Sequence, residues 1–137
     1  MQLNAYLFFN GDCAEAFKFY EQCLGGKIVM MMTHGESPAA DHTAPDWQDK
    51  IIHARLTVGD AVLMGSDSPP EYQEEAKGYS VSLGTSDPAE AERIFNALAE
   101  NGTVKMPFQE TFWARGFGML TDRFGIPWMI NCEKAQA

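Results

Sequence analysis

Two side chains that could bind or transform a small molecule stand two residues apart in residues 50–58, a run whose composition predicts a strand. His53 is a candidate general base, and Arg55 is a candidate partner for an anionic group. Because side chains alternate along a strand, His53 and Arg55 share a face with Ile51 and Thr57, and the opposite face is apolar. We expect the apolar face to back onto helices, which leaves His53 and Arg55 directed toward a ligand. A lone histidine in a half-buried strand is also commonly a hydrogen-bonded structural residue.

A second cluster, Phe112-Trp113-Ala114-Arg115-Gly116-Phe117, combines three aromatic rings with an arginine. One interpretation is an aromatic wall, with Trp113 and Arg115 presented to an anionic or π-rich ligand. The other is a hairpin whose rings fill the core or a dimer interface, and the sequence does not choose between them. The run Met30-Met31-Met32 predicts adaptable core packing rather than a binding surface.

The cysteines do not suggest chemistry. Cys13, Cys23 and Cys132 are odd in number, far apart and without C-x-x-C spacing, so neither a disulfide framework nor a zinc site is indicated. A nucleophilic cysteine needs a base beside it, and the sequence supplies none. We therefore expect three buried free thiols.

Charge excludes several classes of partner. The 137 residues carry 10 Lys and Arg against 19 Asp and Glu, a net charge of −9, and the acidic excess is spread over both halves. Without a basic stripe, the chain is not expected to bind nucleic acid or anionic membranes. No apolar run approaches the roughly 20 residues that span a bilayer, and no signal-peptide pattern follows Met1. The sequence therefore predicts a cytoplasmic protein.

The elements that must position these residues occur twice. Ala14-Glu15-Ala16 recurs 75 residues later as Ala89-Glu90-Ala91, and the same offset carries Asp12 onto Asp87. Each Asp stands three residues before a Glu, the pattern of a capping box at a helix start, and glycine follows each helical stretch. The spacing predicts two amphipathic helices, with apolar faces formed by Ala16, Tyr20, Cys23, Leu24 and by Ala91, Ile94, Phe95, Leu98.

Strand-like runs surround each predicted helix, at residues 3–9, 27–33, 50–58 and 61–66 and at residues 79–85, 103–110, 116–121 and 126–132. Each half therefore has the order β-α-β-β-β, which predicts an α+β fold of two tandem βαβββ modules. Residues 34–49 and 67–77 are predicted loops, and the first is long enough to form a lid or to be mobile. We expect one domain over residues 1–137, with modules at about 1–67 and 78–133.

This order resembles the vicinal oxygen chelate superfamily, which includes glyoxalase I, extradiol dioxygenases and bleomycin- and fosfomycin-resistance proteins. Over residues 3–133 the chain is similar to its PhnB-like branch, on the strength of Tyr6-Leu7-Phe8-Phe9-Asn10-Gly11, Ala14-Glu15-Ala16-Phe17, Phe19-Tyr20 and Thr121-Asp122-Arg123-Phe124-Gly125-Ile126-Pro127-Trp128-Met129-Ile130-Asn131. The resemblance implies a glyoxalase/bleomycin-resistance-like fold, in which the modules form a curved sheet around a pocket. It also implies a homodimer.

Metal-using members of that superfamily place one His, Glu or Gln ligand on each of four strands, where a divalent ion polarises substrate oxygens. The matching positions here are Ala5, His53, Ser80 and Met129. Of these four side chains, only His53 suits a catalytic metal. A shift of one residue offers nothing better, so we expect neither a metal nor another cofactor.

The resemblance therefore implies metal-independent binding of a small, partly aromatic or amphiphilic molecule, as bleomycin-resistance proteins sequester a drug without chemistry. The expected pocket residues are His53, Arg55, Ser80, Trp113, Arg115 and Met129. One alternative is a glyoxalase-like lyase or isomerase, with His53 as general base and Arg55 or Arg115 holding an anionic substrate. Others are a metal-dependent dioxygenase or lyase and a structural module. The sequence names neither ligand nor reaction.

Overall fold

The computed structural model describes residues 1–134, which form two compact units. The first unit, Met1–Glu74, contains β1 (Ala5–Phe9), α1 (Cys13–Leu24), β2 (Lys27–Thr33), β3 (Ile51–Val58) and β4 (Ala61–Asp67). The second unit begins at Glu75 and contains β5 (Val81–Thr85), α2 (Pro88–Ala99), β6 (Thr103–Gln109), β7 (Ala114–Thr121) and β8 (Pro127–Glu133). The predicted α+β fold of two βαβββ modules is confirmed, with strand ends within about two residues of those expected. That the modules form one domain stays a prediction.

Both units have the same sheet topology. The strand order is β1-β4-β3-β2 in the first sheet and β5-β8-β7-β6 in the second. In each sheet the strand before the helix pairs in parallel with the last strand, and the other two pairings are antiparallel. Each helix packs on one face of its own sheet. The opposite face of each sheet is formed by side chains of its own strands.

The helix faces agree with the apolar spacing. All eight residues predicted to face the cores are buried, and Cys13 and Phe17 join them in α1. Close approach depends on glycine: a Cβ on Gly65 of β4 would lie 2.9 Å from the Phe17 ring, and one on Gly118 of β7 would lie 2.6 Å from the Phe95 ring. Both glycines mark where a helix contacts its sheet.

The two helices begin differently, and the prediction for the first is wrong. Asp87 accepts hydrogen bonds from the backbone N–H of Ala89 at 3.0 Å and of Glu90, as a helix cap should. Asp12 makes no such bond. In its place Asp67, at the end of β4, accepts from Cys13 N at 2.9 Å, Gly11 N at 3.0 Å and Ile51 N at 2.8 Å. The first helix is therefore capped from a distant strand.

Residues 34–50 are more ordered than the loop the sequence predicts. They contain three short 3-10 turns, at His34–Glu36, Ala40–His42 and Pro45–Trp47. Thr33 and Glu36 form a reciprocal capping box at the first turn, and these hydrogen bonds lower the pKa of the Glu36 carboxyl. Gln48 donates to the carbonyl oxygens of Ala40 and Thr43 and ties the later turns together.

The three cysteines are free and buried, as expected. Burial, with the carboxylates of Asp67 and Asp12 nearby, raises the pKa of the Cys13 thiol well above its usual value. A thiol held in its neutral form is a poor nucleophile. Among residues 1–134, no helix is both long and apolar enough to cross a membrane.

Candidate functional site

From His53 to Thr57, strand β3 separates its apolar and polar side chains as the alternation requires, while Ile51, predicted on the face of His53, is buried. Ala54 and Leu56 are fully buried on the side of the first sheet that carries α1. His53 and Arg55 are half-buried and lie on the opposite side. We call that side the far face of the first sheet, formed by residues of all four strands: Tyr6, Phe8, Met30, Met32, His53, Arg55, Thr57, Val62, Met64 and Ser66.

The structure joins His53 to a residue that the sequence analysis missed. The phenol oxygen of Tyr6 lies 3.1 Å from Nδ1 of His53, and the two rings stack with centroids 5.7 Å apart and planes 24° apart. Phe8, two residues along β1, lies beside Tyr6 with a centroid separation of 5.1 Å. Tyr6 and Phe8 remain 37% and 62% exposed, unlike the buried Leu7 and Phe9 between and beyond them. The far face therefore presents aromatic rings around the histidine.

Ala5, the first of the four positions matched to metal ligands, does not lie on the face of His53. Ala5 pairs with Leu63, which is buried on the α1 side, so Ala5 shares the face of Leu7 and Phe9. Tyr6, one residue later, occupies the far face next to His53. The alternation appears in burial, since Leu7 and Phe9 are buried and Tyr6 and Phe8 are exposed, whereas the residue types of Ala5–Phe9 carry no such signal.

The methionines also depart from expectation. None of Met30, Met31 and Met32 is among the buried residues, and Met30 is 42% exposed. On the neighbouring strand β2, Met30 pairs with Arg55 and Met32 pairs with His53. On β4, Met64 lies between Tyr6 and Arg55 across the sheet. The prediction of core packing is therefore wrong for this run. Thioether side chains form much of the surface around the polar pair.

In the second unit, Met129 lies on the face of the sheet turned away from α2, paired with Ser82 of β5 and with Met119 of β7. Ser80 precedes β5 and is half-buried. The neighbouring Trp128 is buried on the helix side, so it belongs to the core. These side chains lie in a different unit from His53 and Arg55.

The motif around Trp128 is organised by a buried carboxylate. Asp122 accepts hydrogen bonds at Oδ1 from Phe124 N at 2.8 Å and Ile126 N at 3.0 Å, and at Oδ2 from the indole Nε1 of Trp128 at 2.9 Å. Burial, together with the Asp122 charge, also raises the pKa of Tyr79. Residues 121–128, part of the motif that resembles the PhnB-like branch, therefore build the turn between β7 and β8 rather than a ligand site.

The aromatic cluster before β7 is not part of the core. Phe112 and Trp113 are 88% and 47% exposed, and their rings meet edge to face with centroids 4.8 Å apart. Trp113 meets Phe117 in the same way at 5.4 Å. Arg115 instead donates to the carbonyl oxygens of Ser86 and Glu133, which ties the ends of β5 and β8 together. Its guanidinium is thus engaged with backbone.

The residues at the four metal positions do not fit a divalent ion. A methyl group, a thioether and a serine hydroxyl accompany one imidazole, whereas such ions need several imidazole or carboxylate ligands. Over residues 1–134, no three His, Cys, Asp or Glu side chains are grouped as a metal site requires. Taking Tyr6 in place of Ala5 as the first position does not improve the fit, because a phenol then replaces the methyl group.

Comparison with known proteins agrees with this fold. The family model for the Glyoxalase/Bleomycin resistance protein/Dioxygenase superfamily matches residues 2–130. The chain belongs to that superfamily.

Relatives within it span the full length of the chain. Protein YjdN of Escherichia coli K12 is 37% identical, over 99% of this chain and 98% of YjdN. The crystal structure of protein PA1353 from Pseudomonas aeruginosa superposes with a TM-score of 0.90 at 54% identity, covering 98% and 99% of the two chains. The PhnB protein from Bacillus cereus shares the fold, with a TM-score of 0.80 at 24% identity over 96% and 99%. The predicted superfamily is confirmed, and membership of its PhnB-like branch stays a prediction.

Proposed function

We propose that this protein binds a small, partly aromatic or amphiphilic molecule on the far face of the first sheet, without a metal ion. The observation that carries the proposal is the hydrogen-bonded Tyr6–His53 pair, which stands on a sheet face with exposed aromatic rings. Exposed apolar surface beside a few fixed polar groups is typical of small-molecule sites.

Each part of the far face supplies a different contact. Tyr6 and Phe8 offer rings for stacking, and Met30, Met32 and Met64 offer flexible thioethers that adapt to an irregular ligand. His53 and Tyr6 supply a donor and an acceptor whose positions are already fixed by their mutual bond. Preorganised groups lose less entropy when a ligand binds, which favours affinity.

A library screen followed by amide-resolved NMR tests this proposal. We expect bound compounds to shift the amide signals of Tyr6, His53 and Met64, and we expect the same shifts after dialysis against EDTA. The matched control is His42→Ala, which removes an exposed loop histidine, against His53→Ala. Compounds that bind elsewhere, or that bind only before EDTA treatment, would overturn the proposal.

A second candidate function, a lyase or isomerase reaction with His53 as general base, is favoured by the same bond. When Nδ1–H donates to the Tyr6 oxygen, the lone pair of the imidazole lies on Nε2, where it can accept a substrate proton. Arg55 on the same face is placed to hold an anionic substrate. We rank binding first because the side chains matched to the metal ligands, Ala5, Ser80 and Met129, do not suit a divalent ion that would polarise a substrate.

We further propose that the protein is a homodimer. Each sheet ends in edge strands, β1 and β2 in one and β5 and β6 in the other, whose outer backbone groups lack a strand partner among the described residues. Phe112 and Trp113 add a large exposed apolar patch. Unpaired edges and apolar patches of this kind are commonly covered by a second subunit.

A further inference from the structure

We propose that the ligand of the far face is an aromatic anion, a flat fused ring that carries a carboxylate. Arg55 binds the carboxylate, and the ring lies against Tyr6 and His53. This inference rests on the proposed function and narrows it to one chemical class of ligand.

The charge of the far face is opposite to that of the chain. Although the protein carries a net charge of −9, strands β1 to β4 contain a single acidic residue, Asp67. Its carboxylate is 3% exposed and bonded to backbone N–H groups at the start of α1. The far face therefore holds the guanidinium of Arg55, and strands β1 to β4 place no carboxylate beside it. An anion meets attraction there and repulsion over most of the remaining chain.

Arg55 also differs from the other three arginines. Arg93 pairs with Glu90, Arg123 pairs with Glu100, and Arg115 donates to two carbonyl oxygens. Within residues 1–134, Arg55 takes part in no ion pair, although it is half-buried on a sheet face. A half-buried guanidinium without a counterion favours a bidentate carboxylate, which satisfies two of its N–H groups at once.

The aromatic part follows from the geometry of the neighbouring rings. The Tyr6 and His53 rings are within 24° of parallel and are linked by a hydrogen bond, so they offer nearly parallel ring faces on one surface of the sheet. Phe8 borders this surface. Flat ligands stack on such surfaces with offset or tilted rings.

The spacing between these groups favours a fused ring over a single one. Tyr6 pairs with Met64, and Met64 pairs with Arg55, so Tyr6 and Arg55 stand two strands apart, about 10 Å between backbones. His53 lies about 7 Å from Arg55 along β3. A ligand that reaches both the guanidinium and the rings must pass over Met64, whose thioether makes favourable contacts with aromatic edges.

Three probes of matched size test the proposal by NMR titration of the full chain. They are 2-naphthoate, the neutral isostere 2-naphthamide, and decahydronaphthalene-2-carboxylate, which keeps the charge but not the aromatic ring. We expect 2-naphthoate to bind at the far face at least about tenfold more tightly than either of the others, since a charge-assisted contact and ring stacking each contribute.

Variants of Arg55 then test whether its guanidinium contacts the carboxylate of 2-naphthoate. We expect Arg55→Gln to weaken 2-naphthoate about tenfold or more and to leave 2-naphthamide unchanged, and we expect Arg55→Lys to fall between Arg55→Gln and wild type. Arg93→Gln, on the exposed surface of α2, is the matched control and should change nothing. The thermal unfolding of each variant shows that it is folded.

The outcomes separate this inference from the proposed function. Equal affinity for 2-naphthoate and 2-naphthamide, or equal affinity of wild type and Arg55→Gln for 2-naphthoate, overturns the aromatic anion while binding at the far face stands. If none of the three probes shifts an amide signal, the proposal of an aromatic anion is overturned as well. The proposed function itself fails if the wider screen finds no ligand at the far face, or finds only ligands that no longer bind after EDTA treatment.

Discussion

Oδ1 of Asp67 lies 2.9 Å from the backbone nitrogen of Cys13, across 54 positions of sequence, and this bond starts the first helix. The other carboxylate oxygen accepts from Ile51 N at the beginning of β3. One side chain thus fixes a helix start, the end of β4 and the strand that carries His53 and Arg55.

Replacement of Asp67 by alanine should destabilise the fold strongly. Three backbone N–H groups lose their acceptor, two of them at a helix N-terminus, and we expect a loss of about 2–4 kcal/mol in the free energy of unfolding. Urea denaturation measures it. Asp60→Ala, at the exposed turn between β3 and β4, is the matched control and should cost under about 0.5 kcal/mol. Similar urea midpoints for the two variants would show that the hydrogen bonds of Asp67 do not stabilise the fold.

Asp12 should respond to pH in the opposite sense from a capping carboxylate. Burial raises its pKa, with further contributions from the Asp67 and Glu15 charges, so the folded protein holds this proton more tightly than the unfolded chain does. The ionised form therefore destabilises the fold above the raised pKa, and the penalty disappears as pH falls below the ordinary value of 3.8.

Thermal unfolding of Asp12→Asn across this range checks the sign. We expect the variant to have a higher Tm than wild type at neutral pH and an equal Tm near pH 3. A variant that is less stable at neutral pH would show that the Asp12 charge stabilises the helix after all.

The bond between Trp128 and Asp122 gives a third prediction. Trp128→Phe keeps an aromatic ring but removes the indole N–H that Asp122 Oδ2 accepts, and both residues are at most 3% exposed. We expect a loss of about 1–3 kcal/mol in unfolding free energy, measured in guanidinium. Trp113→Phe, at a 47% exposed position, should change it far less. Equal effects would mean that neither the burial of the Trp128 indole nor its hydrogen bond to Asp122 stabilises the fold.

The oligomeric state is open to direct measurement. Light scattering should give about twice the chain mass of 15.2 kDa. A mass that stays at 15.2 kDa over a wide range of concentration would contradict the homodimer.

Local patterns predicted the elements well because they depend on neighbours in sequence. Apolar spacing identified both helix faces, and alternation in residues 50–58 separated His53 from Ala54. The D-x-x-E pattern predicted the capping Asp87, although Asp87 N donates to Thr85 Oγ1 rather than to Glu90, so the box is not completed. The pattern failed at Asp12, because a better-placed acceptor, Asp67, arrives from the last strand of the module. No local rule weighs a cap that comes from so far along the chain.

The site was harder to predict because it depends on strand register. The sequence placed His53 and Arg55 on one face of a strand, as the structure shows, and their role in a site stays a prediction. It matched Ala5, rather than Tyr6, to the adjacent position on β1. The parallel pairing of β1 with β4 decides which of the two faces His53, and a shift of one residue exchanges the faces. The same alternation moves Met30 and Met32 to the far face, although composition alone favoured the core.

Catalysis and binding make different demands on His53. We expect no turnover when the protein is assayed with glyoxalase, dioxygenase and thiol-transfer substrates. Turnover that falls by about 10²- to 10⁴-fold in His53→Ala, the usual contribution of a general base, would favour the enzyme. Tyr6→Phe would then also lower turnover, because it removes the hydroxyl that orients the imidazole through Nδ1.

The most direct measurement is the affinity of the best ligand from the screen for wild type, His53→Ala and His42→Ala, each before and after EDTA dialysis. Metal-independent binding at the far face predicts an affinity that EDTA leaves unchanged, that His53→Ala lowers about three- to tenfold, and that His42→Ala leaves intact. Binding that EDTA abolishes, or equal affinities of the two histidine variants, would contradict it.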